Sequence, residues 1–470
     1  GTLLEVRSAQ ELWTEGEAEG ESREALRASR DDAWAYDIVA VNDASIVVEA
    51  RHCALPLRAE LRIRVDEDLP GIRKSASVAW EGSGSFTLVR MGLGTYVLAE
   101  PAQGGGKGQP ALASSAYLGV DHPCGYAESS DGAVSLYHWP GIVLNGGPGG
   151  GASQARDAEA QNPEASLSKA STSNESTSKA RTSETWTSKE AVIGVCEQGA
   201  SPVETLRAYV LKTAKHQGGF FSVYGDWADH DELGKPDVQR QLTEEQTLAN
   251  VALLEEQAKS AGRAFDYYLI DHGWYDTAGD LTQLAWPNWP SGSFDEVRKR
   301  LEAIGTRLGL WFAVNLARSG GWKLPVGLAF NRSLDDSRCG DTEKAYYCLS
   351  HGSYPGLFER ALLYWARRGI KLMKFDFATF RCRHSGHAGL PEPCAEEQDV
   401  DAFLGILERV LEEAPDVKFV VYNGFPISPW WFRRVDTAYV GDVQPSPVPT
   451  ATAAHRRRSE EHTSELQSRQ

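Results

Sequence analysis

Between Leu57 and Val65 the apolar residues Leu57, Ala59, Leu61, Ile63 and Val65 alternate with Arg58, Glu60, Arg62 and Arg64. A period of two is the pattern of a strand with one buried face. Shorter stretches of the same kind follow at Ile46–Ala50, Ser75–Trp80, Ser85–Met91, Thr95–Ala99 and Val134–His138, separated by turn sequences such as Glu81-Gly82-Ser83-Gly84 and Asp131-Gly132. Several short strands at this spacing predict an antiparallel β-sandwich over residues 1–147. From Gly146 the pattern collapses into Gly, then Ser, Thr, Ala and Lys, interrupted only by Trp186. Residues 148–190 read as a flexible linker or insertion.

After Ala191 strands alternate with amphipathic helices, which predicts a parallel sheet with crossover helices. Six strands are expected: Phe220–Trp227, Phe265–Asp271, Leu308–Asn315, Ile370–Phe377, Val417–Asn423 and Thr437–Asp442. Thr243 with Gln246, and Ser293 with Glu296, have the spacing of capping boxes. Val297, Leu301, Ile304 and Leu308 continue the second of these as an apolar stripe. Six repeats fit either a complete doubly wound sheet or a (β/α)8 TIM-type barrel truncated after about six strands. We expect the barrel, incomplete over residues 191–456. Residues 457–470 include Arg458-Ser459-Glu460-Glu461-His462-Thr463-Ser464-Glu465-Leu466, which resembles the translation of a sequencing adapter. The tail is therefore set apart as non-native, and the natural chain is expected to continue past about residue 455.

Composition narrows the function. The 470 residues carry 48 Lys and Arg against 65 Asp and Glu, a net charge of −17 that repels phosphate backbones and anionic bilayers. Neither nucleic acid nor a membrane is expected as a partner, and no apolar run reaches the ~18 to 20 residues of a membrane-spanning helix. The chain opens on Gly1-Thr2-Leu3, so a signal peptide is left open, and with it the localisation. Seven cysteines are too few for a disulfide scaffold. Cys339/Cys348 and Cys382/Cys394 are the pairs close enough in sequence to bridge, the alternative being free thiols. Gly146–Gly151 lacks the Lys-Ser/Thr ending of a phosphate loop, and no Gly-x-Gly-x-x-Gly follows a strand. His384-x-x-His387, near Cys382 and Cys394, has zinc-ligand residue types without regular zinc spacing, and is read as a solvated loop with no metal.

In parallel barrels the reactive groups lie at the carboxyl ends of strands. Alternation along Ile370–Phe377 places Leu372, Lys374 and Asp376 on one face and Met373, Phe375 and Phe377 on the other. An ammonium beside Asp376 would lower its pKa by about 1 to 3 units and keep it ionised. The sixth strand offers Asp436 before it and Asp442 at its end, roughly 20 Å apart at about 3.3 Å per residue, so Asp442 is the one expected to share a rim with Asp376. Two such carboxylates can serve as nucleophile and general acid/base in glycoside hydrolysis. Strand ends also offer Asp226, Trp227, Asp271, His272, Trp274, Trp311 and Asn423, groups that pair with sugar hydroxyls or stack on C–H faces. Trp322, Trp430 and Trp431 add to this aromatic content.

These residues resemble the α-galactosidase (melibiase-type) superfamily of retaining glycosidases, over roughly Phe220 to Asp442. Ile270-Asp271-His272-Gly273-Trp274 is similar to the family's Leu-Asp-Asp-Gly-Trp, and Gly309-Leu310-Trp311-Phe312 to its third-strand Gly-Leu-Trp-Phe. Lys374-Phe375-Asp376 resembles the Lys-x-Asp nucleophile motif, and Tyr439-Val440-Gly441-Asp442 falls where the family carries its acid/base Asp. His272 replaces a second Asp, Ala313 a Glu, and Tyr422-Asn423-Gly424 the fifth-strand Cys and Gly motif. The resemblance implies an α-retaining exo-glycosidase acting on α-galactoside-like oligosaccharides. Asp376 and Asp442 would be catalytic, while Trp227, Asp271, His272, Trp274, Trp311, Lys374 and Asn423 would hold substrate. No cofactor is implied. Homo-oligomerisation is open, and the same residues would also serve a transglycosylase or a binding-only relative.

Overall fold

The computed structural model describes residues 6–10, 13–18, 34–42, 44–65, 70–146, 182–183, 185–215, 220–227, 243–275, 281–319, 332–340 and 344–438. The N-terminal part forms two sheets of eight and nine strands, antiparallel in every pairing but that of Ile142–Asn145 with Thr182–Ser183. Leu57–Val65 is a strand with the expected bounds, and Leu57, Ala59 and Leu61 are buried. Their faces share one core with Phe86, Leu88, Met91 and Leu136 of the other sheet, and Trp80 stacks on Phe86 with ring centroids 5.1 Å apart.

Two expectations for this region change. Ser85–Met91 and Thr95–Ala99 belong to one strand, Ser85–Leu98. Gly92 and Gly94 suggest a break in the sequence, but the chain absorbs them in a bulge opposite Leu136 and Tyr137, with Gly94 at φ +138°. The low-complexity stretch also ends before residue 190. Thr185–Thr187 pairs with Gly71–Trp80, and Ala191–Val195 lies between that strand and Ala116–Val120. Trp186 packs on the N-terminal core, which its polar neighbours concealed.

The remaining part is built on six parallel strands: Val223–Gly225, Tyr267–Ile270, Arg307–Ala313, Leu372–Asp376, Lys418–Val421 and Thr437–Ala438. They are adjacent in strict chain order. A doubly wound sheet reverses its strand order at a switch point, and this sheet does not. Phe375 faces the covering helices Tyr354–Arg367 and Glu392–Glu413, packing on Phe358 and Phe403. Lys374 and Asp376 consequently point the other way, as alternation requires.

Helix Glu244–Ala261 is capped as expected, Thr243 Oγ1 accepting from the Gln246 N–H at 3.1 Å. The next helix starts later than its capping box implies, at Asp295, and Ser293 Oγ accepts from the Asp295 N–H at 3.0 Å rather than from that of Glu296. Val297 and Leu301 are buried, as the stripe predicts. Among the described residues no helix is long and apolar enough to cross a membrane.

The two parts meet along the first turns of Glu392–Glu413. Glu397 and His138 are fully buried, with His138 Nδ1 2.7 Å from Glu397 Oε1, and Glu397 Oε2 accepts from the Trp139 N–H at 2.7 Å. Gln398 donates to the carbonyls of Pro140 and Gly141, and Asp401 pairs with Lys189 and His122. A helix of the parallel-sheet part is thereby fixed to loops of the N-terminal part.

Candidate functional site

The ends of the first four parallel strands converge on a buried polar array. Asp226, just past the first strand, accepts from the Asp271 N–H at 2.8 Å through Oδ1 and from the Tyr268 hydroxyl at 3.3 Å through Oδ2. This orients Asp271, whose Oδ2 lies 2.9 Å from Lys374 Nζ. The Lys374 ammonium also lies over the Tyr422 ring, 4.7 Å from its centroid. Asp376 sits two residues further along the same face of the fourth strand. Its Oδ2 accepts from the Trp311 indole N–H at 3.1 Å and its Oδ1 from the Phe377 N–H at 2.8 Å. Phe377 has φ +51°, a sparsely populated conformation for a side chain of its size.

The electrostatics differ from the sequence expectation. Lys374 does pull the Asp376 pKa down, but its direct partner is Asp271. Burial is the largest influence on Asp376, which is 5% exposed, and it outweighs Lys374 and the donors Trp311 and Phe377; Asp271 adds to the rise. The Asp376 carboxyl therefore titrates above its ordinary range rather than below it.

Two of the expected substrate-binding aromatics are buried. Trp274 is fully buried, its N–H is donated to the Trp311 carbonyl at 2.8 Å, and its ring packs edge-on against Trp365 and Phe312. Trp311 is 1% exposed; its N–H is committed to Asp376, and its ring lies flat against Tyr275 and edge-on to His272. Neither offers an open face for a sugar to stack on. Trp430 and Trp431 are core residues as well, whereas Trp227, two residues past the first strand, is 39% exposed. His272 is buried beside Trp311, and Asn423 accepts the Ala378 N–H at 3.1 Å through its main-chain oxygen.

Asp436 is separated from this array. Its carboxylate is held by Lys215 Nζ at 2.7 Å and Lys418 Nζ at 2.9 Å, at the start of the fifth and sixth strands. It is a structural anchor at the opposite end of the sheet. Asp442 and Trp322 lie outside the described residues.

Sequence reasoning overlooked Tyr275 and Asn315. Asn315 is buried just past the third strand. It donates to the carbonyls of Tyr347 and Thr379 at 3.0 and 2.7 Å and accepts from the Thr379 N–H at 2.8 Å. An amide directly after an apolar strand was the available signal. Beyond Asp376, Ala378–Arg381 and Gly424–Ile427 line a cleft of about 850 Å³ together with Lys107 and Gln109 of the N-terminal part. Gln109 Nε2 donates to the Ile427 carbonyl across it.

The cysteines are free thiols, and neither pairing suggested by sequence proximity forms. Cys339 lies against Cys382, with sulfurs 2.9 Å apart, and the Cys394 thiol points to the Val89 carbonyl at 3.4 Å. The segment around His384 is exposed at Arg381, Arg383, Ser385, Gly386, Ala388 and Gly389, as expected of a solvated loop, but it turns the side chains of Cys382 and His387 inward, where both are buried.

No protein-family model matches the sequence, and no curated protein matches it. Solved structures do match. A variant of the GH36 α-galactosidase AgaA of Geobacillus stearothermophilus, in complex with 1-deoxygalactonojirimycin, matches with a TM-score of 0.57 at 12% identity, over 99% of this chain and 65% of that one. The α-galactosidase of Lactobacillus brevis matches with a TM-score of 0.55 at 12% identity, over 98% and 62%. A second AgaA variant, also similar to this chain, was solved with raffinose. The chain thus spans just under two thirds of the length of these proteins. Across nearly all of its own length, this chain has the fold of the GH36 α-galactosidases.

Proposed function

We propose that the chain is part of an α-retaining exo-glycoside hydrolase of the galactosidase kind, working by double displacement on α-galactoside-like oligosaccharides. In this reading residues 1–147 form the sandwich and the six parallel strands are an arc of a (β/α)8 barrel. The observation that carries it is the placement of Asp376. A carboxylate stands at the carboxyl end of the fourth strand, with two N–H donors fixing its oxygens, in a fold shared with the solved GH36 α-galactosidases.

Asp376 attacks the anomeric carbon in its ionised form, so its donors have a catalytic consequence. Trp311 and the Phe377 main chain stabilise the carboxylate against burial and hold it at a single orientation. Asp271 and Lys374, locked together, present a carboxylate and an ammonium to sugar hydroxyls on the adjoining rim. His272 stands where the resembled family has a second Asp, exchanging an acceptor-only group for an imidazole, and this changes which hydroxyl pattern the site favours. Asp442 protonates the leaving oxygen and then activates water, the role its position in the resembled motif gives it.

The test is mass spectrometry after incubation with α-configured fluorosugar or epoxide trapping reagents, with peptide mapping. An adduct on Asp376 is expected, and the reagent that reacts identifies the glycone. Sugar binding without any adduct or turnover would replace this reading with a binding-only relative. Transfer to an added sugar in preference to water would make the enzyme a transglycosylase.

A further inference from the structure

The strand Arg338–Gly340 and two loops bordering the parallel sheet bring together cysteines and histidines from separate parts of the sequence. Cys339 and Cys348 flank the strand Lys344–Tyr347, His351 precedes helix Tyr354–Arg367, and Cys382, His384 and His387 follow the fourth strand. Cys339, Cys348, Cys382 and His387 are all buried. Potential ligand atoms of Cys348, Cys382 and His387 lie within 4.8 Å of one another, as do those of Cys348, His351 and His384. Cys339 Sγ is 2.9 Å from Cys382 Sγ, and His351 Nδ1 is 3.8 Å from Cys348 Sγ.

We propose that this cluster is a structural zinc site, with Cys348, Cys382 and His387 as ligands and the fourth position taken by Cys339 or His351. Tetrahedral zinc with Zn–S near ~2.3 Å and Zn–N near ~2.0 Å sets its ligand atoms about 3.3 to 3.8 Å apart. The three-residue core therefore needs to contract by no more than about 1.5 Å. Thiolate and imidazole donors select zinc over the hard cations, which take oxygen.

The surroundings are those of a supporting shell. Ser350 Oγ lies 3.0 Å from both His351 Nδ1 and His387 Nε2 and donates to Asp399 Oδ1 at 2.6 Å. Asp399 is fully buried on helix Glu392–Glu413, and its Oδ2 has no hydrogen-bond partner among the described residues. Gly386 stands where a Cβ would fall 2.3 Å from the His351 ring. Zinc is held by thiolates and neutral imidazole, so coordination releases a proton from each ligating thiol to solvent. A bound ion would tie the loop after Lys344–Tyr347 to the loop after the fourth strand, while the Ser350–Asp399 hydrogen bond links the site to helix Glu392–Glu413, and so brace the backbone that follows Asp376.

The experiment is elemental analysis of the purified 470-residue chain after gel filtration in chelator-washed buffer, followed by X-ray absorption at the zinc edge. About one zinc per chain is expected, with three sulfurs and one nitrogen if Cys339 ligates, or two and two if His351 does. Cobalt-substituted protein should show thiolate-to-cobalt charge-transfer absorption. C348S and H387A should lose both metal and absorption, whereas C53S and C394S retain them. If the site variants fail to fold, titrating the unmodified chain with a mercurial should release zinc in step with thiol modification. A chain without zinc, or one with Cys339 and Cys382 joined as a disulfide and two hydrogens lighter, would overturn the proposal.

Discussion

The indole N–H of Trp311 donates to Oδ2 of Asp376 at 3.1 Å, across adjacent strands whose residues 311 and 374 are paired in register. This bond lowers the pKa of a carboxyl that burial raises. Trp311→Phe keeps an aromatic ring and removes the donor. The Asp376 pKa should rise further, moving the acidic limb of kcat/KM to higher pH, and the rate should fall about 10 to 100-fold, the worth of one hydrogen bond to a charged group. The pH–rate profile of the variant checks this, and an unmoved acidic limb would show that the bond does not serve the ionised form.

Asp271 and Lys374 form a partly buried pair at 2.9 Å, their side chains 5% and 17% exposed. Removing one charge leaves the other without compensation in a low-dielectric setting, at about 3 to 5 kcal/mol. Lys374→Met should therefore destabilise strongly. Adding Asp271→Asn should restore part of the loss, because the stranded carboxylate is gone. Urea midpoints for the two single variants and the double variant complete the cycle.

The parallel-sheet architecture was legible because short apolar strands alternate with amphipathic helices along the chain, a pattern that survives any tertiary arrangement. Parity along Leu372–Asp376 likewise put Lys374 and Asp376 on one face. The partnerships were not legible. Whether Lys374 reaches Asp376 or Asp271 depends on how neighbouring strands are staggered, which the sequence of a single strand does not contain. The burial of Trp274 and Trp311 was not legible, because residue type reports an aromatic face and not where it packs. The nearness of Cys339, Cys348 and Cys382 was not legible for a related reason: a strand and two loops from separate parts of the sequence bring these sulfurs together. Thr185–Thr187 was hidden because a strand edge made of Thr and Ser looks like linker when composition is averaged.

Gly424 sets how closely the fifth strand's end approaches the fourth's. It has φ +90°, and a Cβ there would fall 2.0 Å from the Ala378 carbonyl oxygen. Gly424→Ala incurs the left-handed conformation, about 1 to 3 kcal/mol, and displaces backbone two residues beyond Asp376. Both the melting temperature and kcat should fall. A variant with lowered stability but unchanged kcat would show that Asp376 is insulated from this contact.

Acid should loosen the junction between the two parts. Burial alone would raise the Glu397 pKa, but His138, His122 and Lys189 outweigh it and hold the carboxyl below its ordinary value. Asp401, facing Lys189 and His122, is likewise lowered. A carboxyl depressed in the folded state contributes stability that is complete above its unfolded pKa, about 4.3 for Glu, and is lost as pH falls through the folded value. The contributions of Glu397 and Asp401 should accordingly be complete near neutrality and be lost below about pH 4. Glu397→Gln should be less stable at pH 7 by about 1 to 3 kcal/mol, since it disturbs the buried hydrogen bonds that Glu397 makes with His138 and the Trp139 N–H. It should also lose less on acidification, so that the two curves converge at low pH. Denaturant titrations from about pH 3 to 7 on both proteins measure this directly; parallel curves would place the acid sensitivity elsewhere, with Asp401→Asn the next variant to compare.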